Sequence, residues 1–246
     1  MKYIQSTNNP QVKQWKKLLT KKERDKTGLF LVEGFHLVEE ALKHKRAISI
    51  IKSEEIDLPT KWDIQDEDLY EVPKEIIKLL AETENTQGVF AVCEKIEIEP
   101  DQYNKILMLD AVQDPGNLGT IIRTADAAGV DFIVLGEGCV DLYNGKALRS
   151  TQGSVFHLPI VKGKLEEWIP RLKQQGIPVF GTALENAVSS TEVSKQKSFA
   201  LIVGNEGNGV RKEILDMCDQ NLYIPIYGQA ESLNVTVATG ILLYTL

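Results

Sequence analysis

The chain has 246 residues, 43% of them hydrophobic and 26% charged, with a formal net charge of −7. That composition supports one large domain or two small ones with real cores and argues against a disordered chain. No apolar run reaches the ~20 residues that span a bilayer, and the N-terminus lacks the apolar core and cleavage site of a secretory signal, so a cytoplasmic protein with no membrane partner is expected.

The net charge hides an uneven distribution. Residues 1–52 carry 12 Lys/Arg against 5 Asp/Glu, whereas residues 53–100 carry 4 against 14. The N-terminal excess is either a local field that attracts phosphates or a solvated charged helix. Its carriers include Lys13, Lys16, Lys17, Lys21, Lys22 and Arg24. Val12, Trp15, Leu18 and Leu19 recur at helical spacing among them, which predicts a helix over 11–24. Strands are predicted at 29–32, 48–51, 69–72 and 88–92. A helix follows Gly34, and another starts with Pro73 at its first position and runs to Leu80. This makes a small α/β domain over 1–96. The polar stretch 97–104 reads as a linker, and a second domain occupies 105–246.

In the second domain the predicted strands are 106–110, 131–136, 155–161, 177–184, 199–204 and 222–226. Helices are predicted over 118–128, 165–175, 211–218 and 232–246, with Gly129 and Gly176 just past the ends of two of them. Residues 139–153 read as a loop or short helix. Strand and helix alternate, and several strands are continuously apolar. The fold class is therefore α/β, with a parallel sheet covered on both faces. Cys93, Cys139 and Cys218 are far apart and form no CxxC pair, so they read as buried thiols. His36, His44 and His157 are scattered, and no metal site is expected.

Ligands of open parallel sheets bind beyond the carboxyl ends of the strands. Three segments there are unusual: DAVQDPGNLGTIIR from Asp110, GNEGNG from Gly204, and IPIYGQAESLNV from Ile224. Each has a plain explanation. Asn117 or Ser232 could cap the helix that follows. The glycines at 204, 207 and 209 lack the spacing of a dinucleotide fingerprint and the lysine of a P-loop. Together, on one sheet, the segments supply a guanidinium, carboxamides, a hydroxyl and loop amides beside helix N-termini, which makes a polar, phosphate-friendly site.

The motifs NLGTIIRTADAAG, LIVGNEGNG and IPIYGQAESLNVTVATGILLY, in that order over 105–246, resemble the SpoU (TrmH) family of RNA 2′-O-ribose methyltransferases, in the SPOUT superfamily. The N-terminal half, with FLVEGFHLVEEAL, resembles the RNA substrate-binding domain often attached to that family. The resemblance implies a deep trefoil knot, a homodimer through the C-terminal domain, and S-adenosyl-L-methionine as cofactor. RNA is the implied partner, ribosomal RNA in preference to tRNA. It implies catalytic roles for Asn117, Arg123, Glu206, Ser232 and Asn234. Cofactor contacts are implied for Thr182, Ala183, Leu184, Gly204, Asn205, Gly207, Ile224, Ile226, Ser232, Leu233 and Asn234. RNA contacts fall to Arg123 and the N-terminal Lys13, Lys16, Lys17, Lys21, Lys22 and Arg24. Arg123 is either the base that takes the hydroxyl proton or a clamp on the adjacent phosphate, and Glu206 either bonds loop amides or places the guanidinium. The alternatives are a non-catalytic RNA-binding protein, against which the full motif set argues, and a nucleotide-dependent enzyme, against which the glycine spacing argues.

Overall fold

The computed structural model describes residues 1–64, 66–95 and 98–246. They form two compact units, Met1–Ile96 with Asp141–Phe156, and Glu97–Val140 with His157–Leu246. Ile96 and Glu97, where the sequence places the end of the first domain and the start of the linker, lie outside the described residues.

The first unit opens with strand β1 (Lys2–Tyr3), helix α1 (Pro10–Lys17) and helix α2 (Lys21–Thr27). The single helix expected over 11–24 is broken. At Thr20 the side-chain hydroxyl accepts from Glu23 N and caps a new helix. Strand β2 (Leu29–Glu33), helix α3 (Phe35–Lys43), strands β3 (Ala47–Ser53) and β4 (Asp68–Val72), helix α4 (Lys74–Leu80) and strand β5 (Val89–Glu94) follow. Pro73 is the N-cap of α4 and not its first helical residue. The sheet order is β1-β4-β3-β5-β2, with β5 antiparallel to both its neighbours. Val12, Trp15 and Leu18 share a buried cluster with Ile76, Ile77 and Leu80 of α4 and with Ile51 and Phe90 of the sheet.

The second unit begins with β6 (Lys105–Leu109), α5 (Pro115–Ala127) and β7 (Phe132–Leu135). Helix α5 starts three residues before the expected Leu118, because Asp114 caps it and Pro115 is already in helical conformation. Asp141–Phe156 then joins the first unit and carries α6 (Gly145–Thr151). There Phe30 meets Tyr143 and Phe156, with ring centroids 4.5 and 6.3 Å away. Back in the second unit the chain forms β8 (Ile160–Lys162), α7 (Leu165–Gln174), β9 (Val179–Thr182), β10 (Val188–Ser189), β11 (Phe199–Val203), α8 (Lys212–Leu215), β12 (Gln220–Tyr223) and α9 (Val235–Thr245). The strand expected over 155–161 is confined to its end, behind a short 3-10 turn at Ser154–Phe156.

All seven strands of this sheet run parallel, in the order β10-β12-β9-β11-β6-β7-β8. Alternate residues of a strand face opposite sides. Ile106, Met108, Phe132 and Val134 thus share one buried cluster with Leu165, Ile169 and Leu172 of α7 and Ile214 of α8. Helices α5 and α9 pack together, and the Tyr244 hydroxyl donates to Ala127 O at 3.1 Å. No helix among the described residues is long and apolar enough to cross a membrane.

Candidate active site

Strands β12, β9, β11 and β6 are neighbours in the sheet, so the loops that leave their carboxyl ends converge. Those after β9, β11 and β12 line a cleft of about 670 Å³. Of the residues expected around a cofactor, Thr182, Ala183, Leu184, Gly204, Asn205, Gly207, Ile224, Ile226, Ser232 and Leu233 all line it, as does Glu206. Asn234 stands just outside the lining. The sequence reading missed the contribution of α9, where Val235, Ala238 and Leu242 form part of the wall. Their spacing of three and four was the available signal.

The loop after β11 is folded tightly on itself. Asn205 and Gly209 exchange two backbone hydrogen bonds, of 3.0 and 2.9 Å. A Cβ at Gly204 would lie 2.2 Å from the backbone of Gly209 and Val210, so only glycine fits there. Inside the turn, Asn205 Oδ1 accepts from Gly207 N at 2.9 Å and Asn208 N at 3.1 Å. Both amides shape the loop, including that of Gly207, for which a cofactor contact is expected. Asn205 Nδ2 donates to Ala111 O at 2.9 Å, which ties the loop to the end of β6. A second tie was not anticipated. Asp110 is fully buried and accepts from Arg211 N at 2.8 Å and Arg211 Nε at 2.9 Å.

Three of the five expected catalytic residues meet directly. The Glu206 carboxylate accepts from Gln113 N (3.1 Å), Asp114 N (2.9 Å) and Asn117 Nδ2 (3.1 Å). Asn117 Oδ1 in turn accepts from Asn234 Nδ2 at 3.3 Å. Asn234 Oδ1 accepts from Thr236 N at 2.8 Å and so caps α9, the role the sequence reading offered to Ser232. Likewise Asp114, not Asn117, caps α5. Partial burial pushes the Glu206 carboxyl up, but the hydrogen bonds from Asp114 N, Asn117 Nδ2 and Gln113 N outweigh it and hold it below the ordinary carboxylate range. Glu206 therefore holds the loop that opens α5 as an anion.

Arg123 lies further along α5, exposed, and among the described residues its guanidinium has no hydrogen-bond or ion-pair partner. It does not line the cleft. In the first unit Lys13, Lys16, Lys17 and Lys22 are exposed, and Lys21 pairs with Asp25. Arg24 departs from expectation. It is 6% exposed and donates Nη1 to Leu18 O at 2.8 Å and Nη2 to Asp141 at 2.6 Å. Buried, with both Nη atoms already engaged, it is not part of a phosphate-facing surface.

Such a cleft, over the carboxyl ends of a parallel sheet and bounded by three polar loops, is where α/β proteins of this kind bind a small-molecule ligand. Comparison with known proteins assigns the class. Residues 104–244 match the SpoU rRNA Methylase family, and residues 9–91 match the MRM3-like substrate binding domain. The chain belongs to the SpoU rRNA methylase family and is an S-adenosylmethionine-dependent RNA 2′-O-ribose methyltransferase. It is 51% identical, over 100% of its own length and 99% of the relative's, to the 23S rRNA (guanosine(2553)-2′-O)-methyltransferase RlmP of Bacillus subtilis. Among solved structures it resembles the AdoMet-bound rRNA methyltransferase from Sinorhizobium meliloti (34% identity, TM-score 0.88, 99% of this chain and 96% of that one). It also resembles the SpoU methyltransferase AviRb from Streptomyces viridochromogenes in complex with AdoMet (27% identity, TM-score 0.85, 97% of each chain).

Proposed function

We propose that the chain methylates the ribose of a guanosine in 23S ribosomal RNA, the nucleoside named for its Bacillus subtilis relative. The observation that carries this is end-to-end similarity: the 51% identity spans both units and not the methylase half alone. A ribosomal RNA substrate supports a cytoplasmic location.

The cleft suits the cofactor. Its volume lies within the range of small-molecule sites, roughly 300–1,000 Å³. Its wall combines apolar side chains (Leu184, Ile224, Leu233, Leu242) with the polar loop after β11, as an adenosine bearing a charged amino-acid tail requires. When bound, the cofactor supplies a methyl carbon made electrophilic by a sulfonium. The protein's tasks are then alignment of the ribose and removal of the 2′-hydroxyl proton as the methyl–sulfur bond breaks. Glu206 fixes Gln113, Asp114 and Asn117. Asn117 and Asn234 join the start of α5 to the start of α9, which sets the floor on which the ribose rests. Arg123, with five donors and no acceptor, clamps the adjacent phosphate and holds the 2′-hydroxyl in line. Arg123→Ala should abolish methyl transfer and leave cofactor affinity within about twofold. Arg123→Lys should also fail, because a point charge cannot reproduce the planar fork.

Lys13, Lys16, Lys17 and Lys22 supply phosphate contacts in the first unit. Helix α9 supplies a homodimer interface: Val237, Ile241 and Tyr244, at helical spacing, are 51%, 39% and 64% exposed. The substrate is tested by incubating the protein and labelled cofactor with unmodified 23S rRNA and with tRNA, then mapping ribose methylation. A single guanosine in 23S rRNA is expected. Methylation confined to tRNA, or to another nucleoside, overturns the assignment.

A further inference from the structure

In the second unit, Ile98 aside, the exposed large apolar side chains among the described residues fall into two groups. One is the α9 face. The other surrounds the cofactor cleft: Leu184 is 73% exposed, Leu233 37% and Tyr227 93%. Leu184 and Leu233 line the cleft itself, where a ligand would cover them. Tyr227 does not. It directly follows Ile226, which lines the cleft, and the chain returns to the lining at Ser232, so residues 227–231 form the cleft's lip. Every residue of this lip is exposed. Among the described residues the Tyr227 ring has no aromatic neighbour or overlying cation, and its hydroxyl has no hydrogen-bond partner. The adjacent Gly228 stands in open space, with nothing within 4 Å of where a Cβ would be. Two residues past Ser232, Asn234 makes the contact to Asn117 that leads into α5, the helix of Arg123.

The reaction takes place at a ribose and gives the attached base no chemical task, so something else must hold that base. Unpaired RNA bases are held by stacking on aromatic side chains, and such stacking tolerates an exposed ring because the base itself covers it. We propose that Tyr227 is the platform on which the nucleobase of the methylated nucleotide stacks, which makes it a substrate-positioning residue at the mouth of the cofactor cleft. This rests on the ribose-methylation reading above.

Tyr227→Ala, Tyr227→Phe and Tyr227→Trp should be compared with the parent protein on unmodified 23S rRNA transcript. Tyr227→Ala should raise KM for RNA on the order of tenfold, the scale of removing one base–aromatic stack. Affinity for S-adenosylhomocysteine, measured by calorimetry, should be unchanged. Phe and Trp should restore KM, since each keeps a π face and lacks the phenol. A fall in S-adenosylhomocysteine affinity with unchanged RNA KM overturns the proposal and places the ring over the cofactor. A shift to monomer in light scattering overturns it in favour of a contact between copies. Parent-like behaviour of Tyr227→Ala overturns it in favour of a solvated side chain. If the parent protein methylates no RNA, the activity assignment fails before any variant is compared, and the two failures are distinct.

Discussion

At the scale of single residues, Glu206 shows how a side chain expected in chemistry can act through geometry. Its carboxylate gathers two backbone N–H groups and the Asn117 amide, and its pKa is depressed because those donors outweigh the partial burial that opposes them. A carboxyl whose folded pKa lies below its unfolded value adds stability above the unfolded pKa and loses it as the pH falls through the folded one. The window is therefore acidic, below about pH 4.3, the ordinary glutamate value. Glu206→Gln replaces one acceptor with a donor that faces other donors. Allowing for the exposure of the site, a loss of about 1 kcal/mol is expected near neutrality, or roughly 2–4 °C in Tm. Thermal unfolding from about pH 3 to 7 should show the gap between parent and variant closing toward the acid end. A gap independent of pH would mean that the charge of Glu206 is irrelevant to its role.

At the scale of elements, local pattern and long-range partnership divide what the sequence could show. The parallel sheet of the second unit was legible because its strands are apolar throughout, and the three loops were legible because their composition is unusual and they follow such strands. Element ends were less so. Asp114 and Asn234, not Asn117 and Ser232, turned out to cap α5 and α9, since neighbouring polar residues are equally plausible caps until the backbone is placed. The least legible features join distant positions. Asp110 and Arg211 are 101 residues apart, and Arg24 and Asp141 are 117 apart. Nothing local marks either pair, and so Arg24 reads as one more surface cation in a basic helix. In the structure it closes the α1–α2 break and anchors Asp141–Phe156, with side chains only 7% and 10% exposed. Arg24→Met should cost about 3–5 kcal/mol, because it strands a buried carboxylate. Adding Asp141→Leu should recover much of that loss in denaturant unfolding. Near-parental stability of the single variant would show that the pair is not buried in solution.

At the scale of the whole molecule, two surfaces remain that neither core accounts for, and they differ in chemistry. The apolar stripe on α9 predicts self-association: Ile241→Glu should convert a dimer to a monomer in light scattering at micromolar concentration, since a charge inside an apolar interface has no partner. The basic stripe on α1 and α2 predicts a response to salt. Lys13, Lys16, Lys17 and Lys22 are exposed, whereas Lys21 pairs with Asp25 and Arg24 is buried, so four of the six expected cations are available. If they contact RNA phosphates, binding releases counterions and affinity falls with salt. Replacing these four by Ala should weaken binding of 23S rRNA at low salt. It should also flatten the plot of log affinity against log salt by roughly 0.7–0.9 for each phosphate no longer neutralised. Affinity for S-adenosylhomocysteine should not move, because the cleft is lined by the second unit alone. The slope is the decisive readout: a variant that is merely less stable would bind less RNA at every salt concentration along a parallel line, while removal of phosphate-binding lysines tilts it. An unchanged slope with parental activity would make the lysines a solvated face and move RNA recognition to other residues.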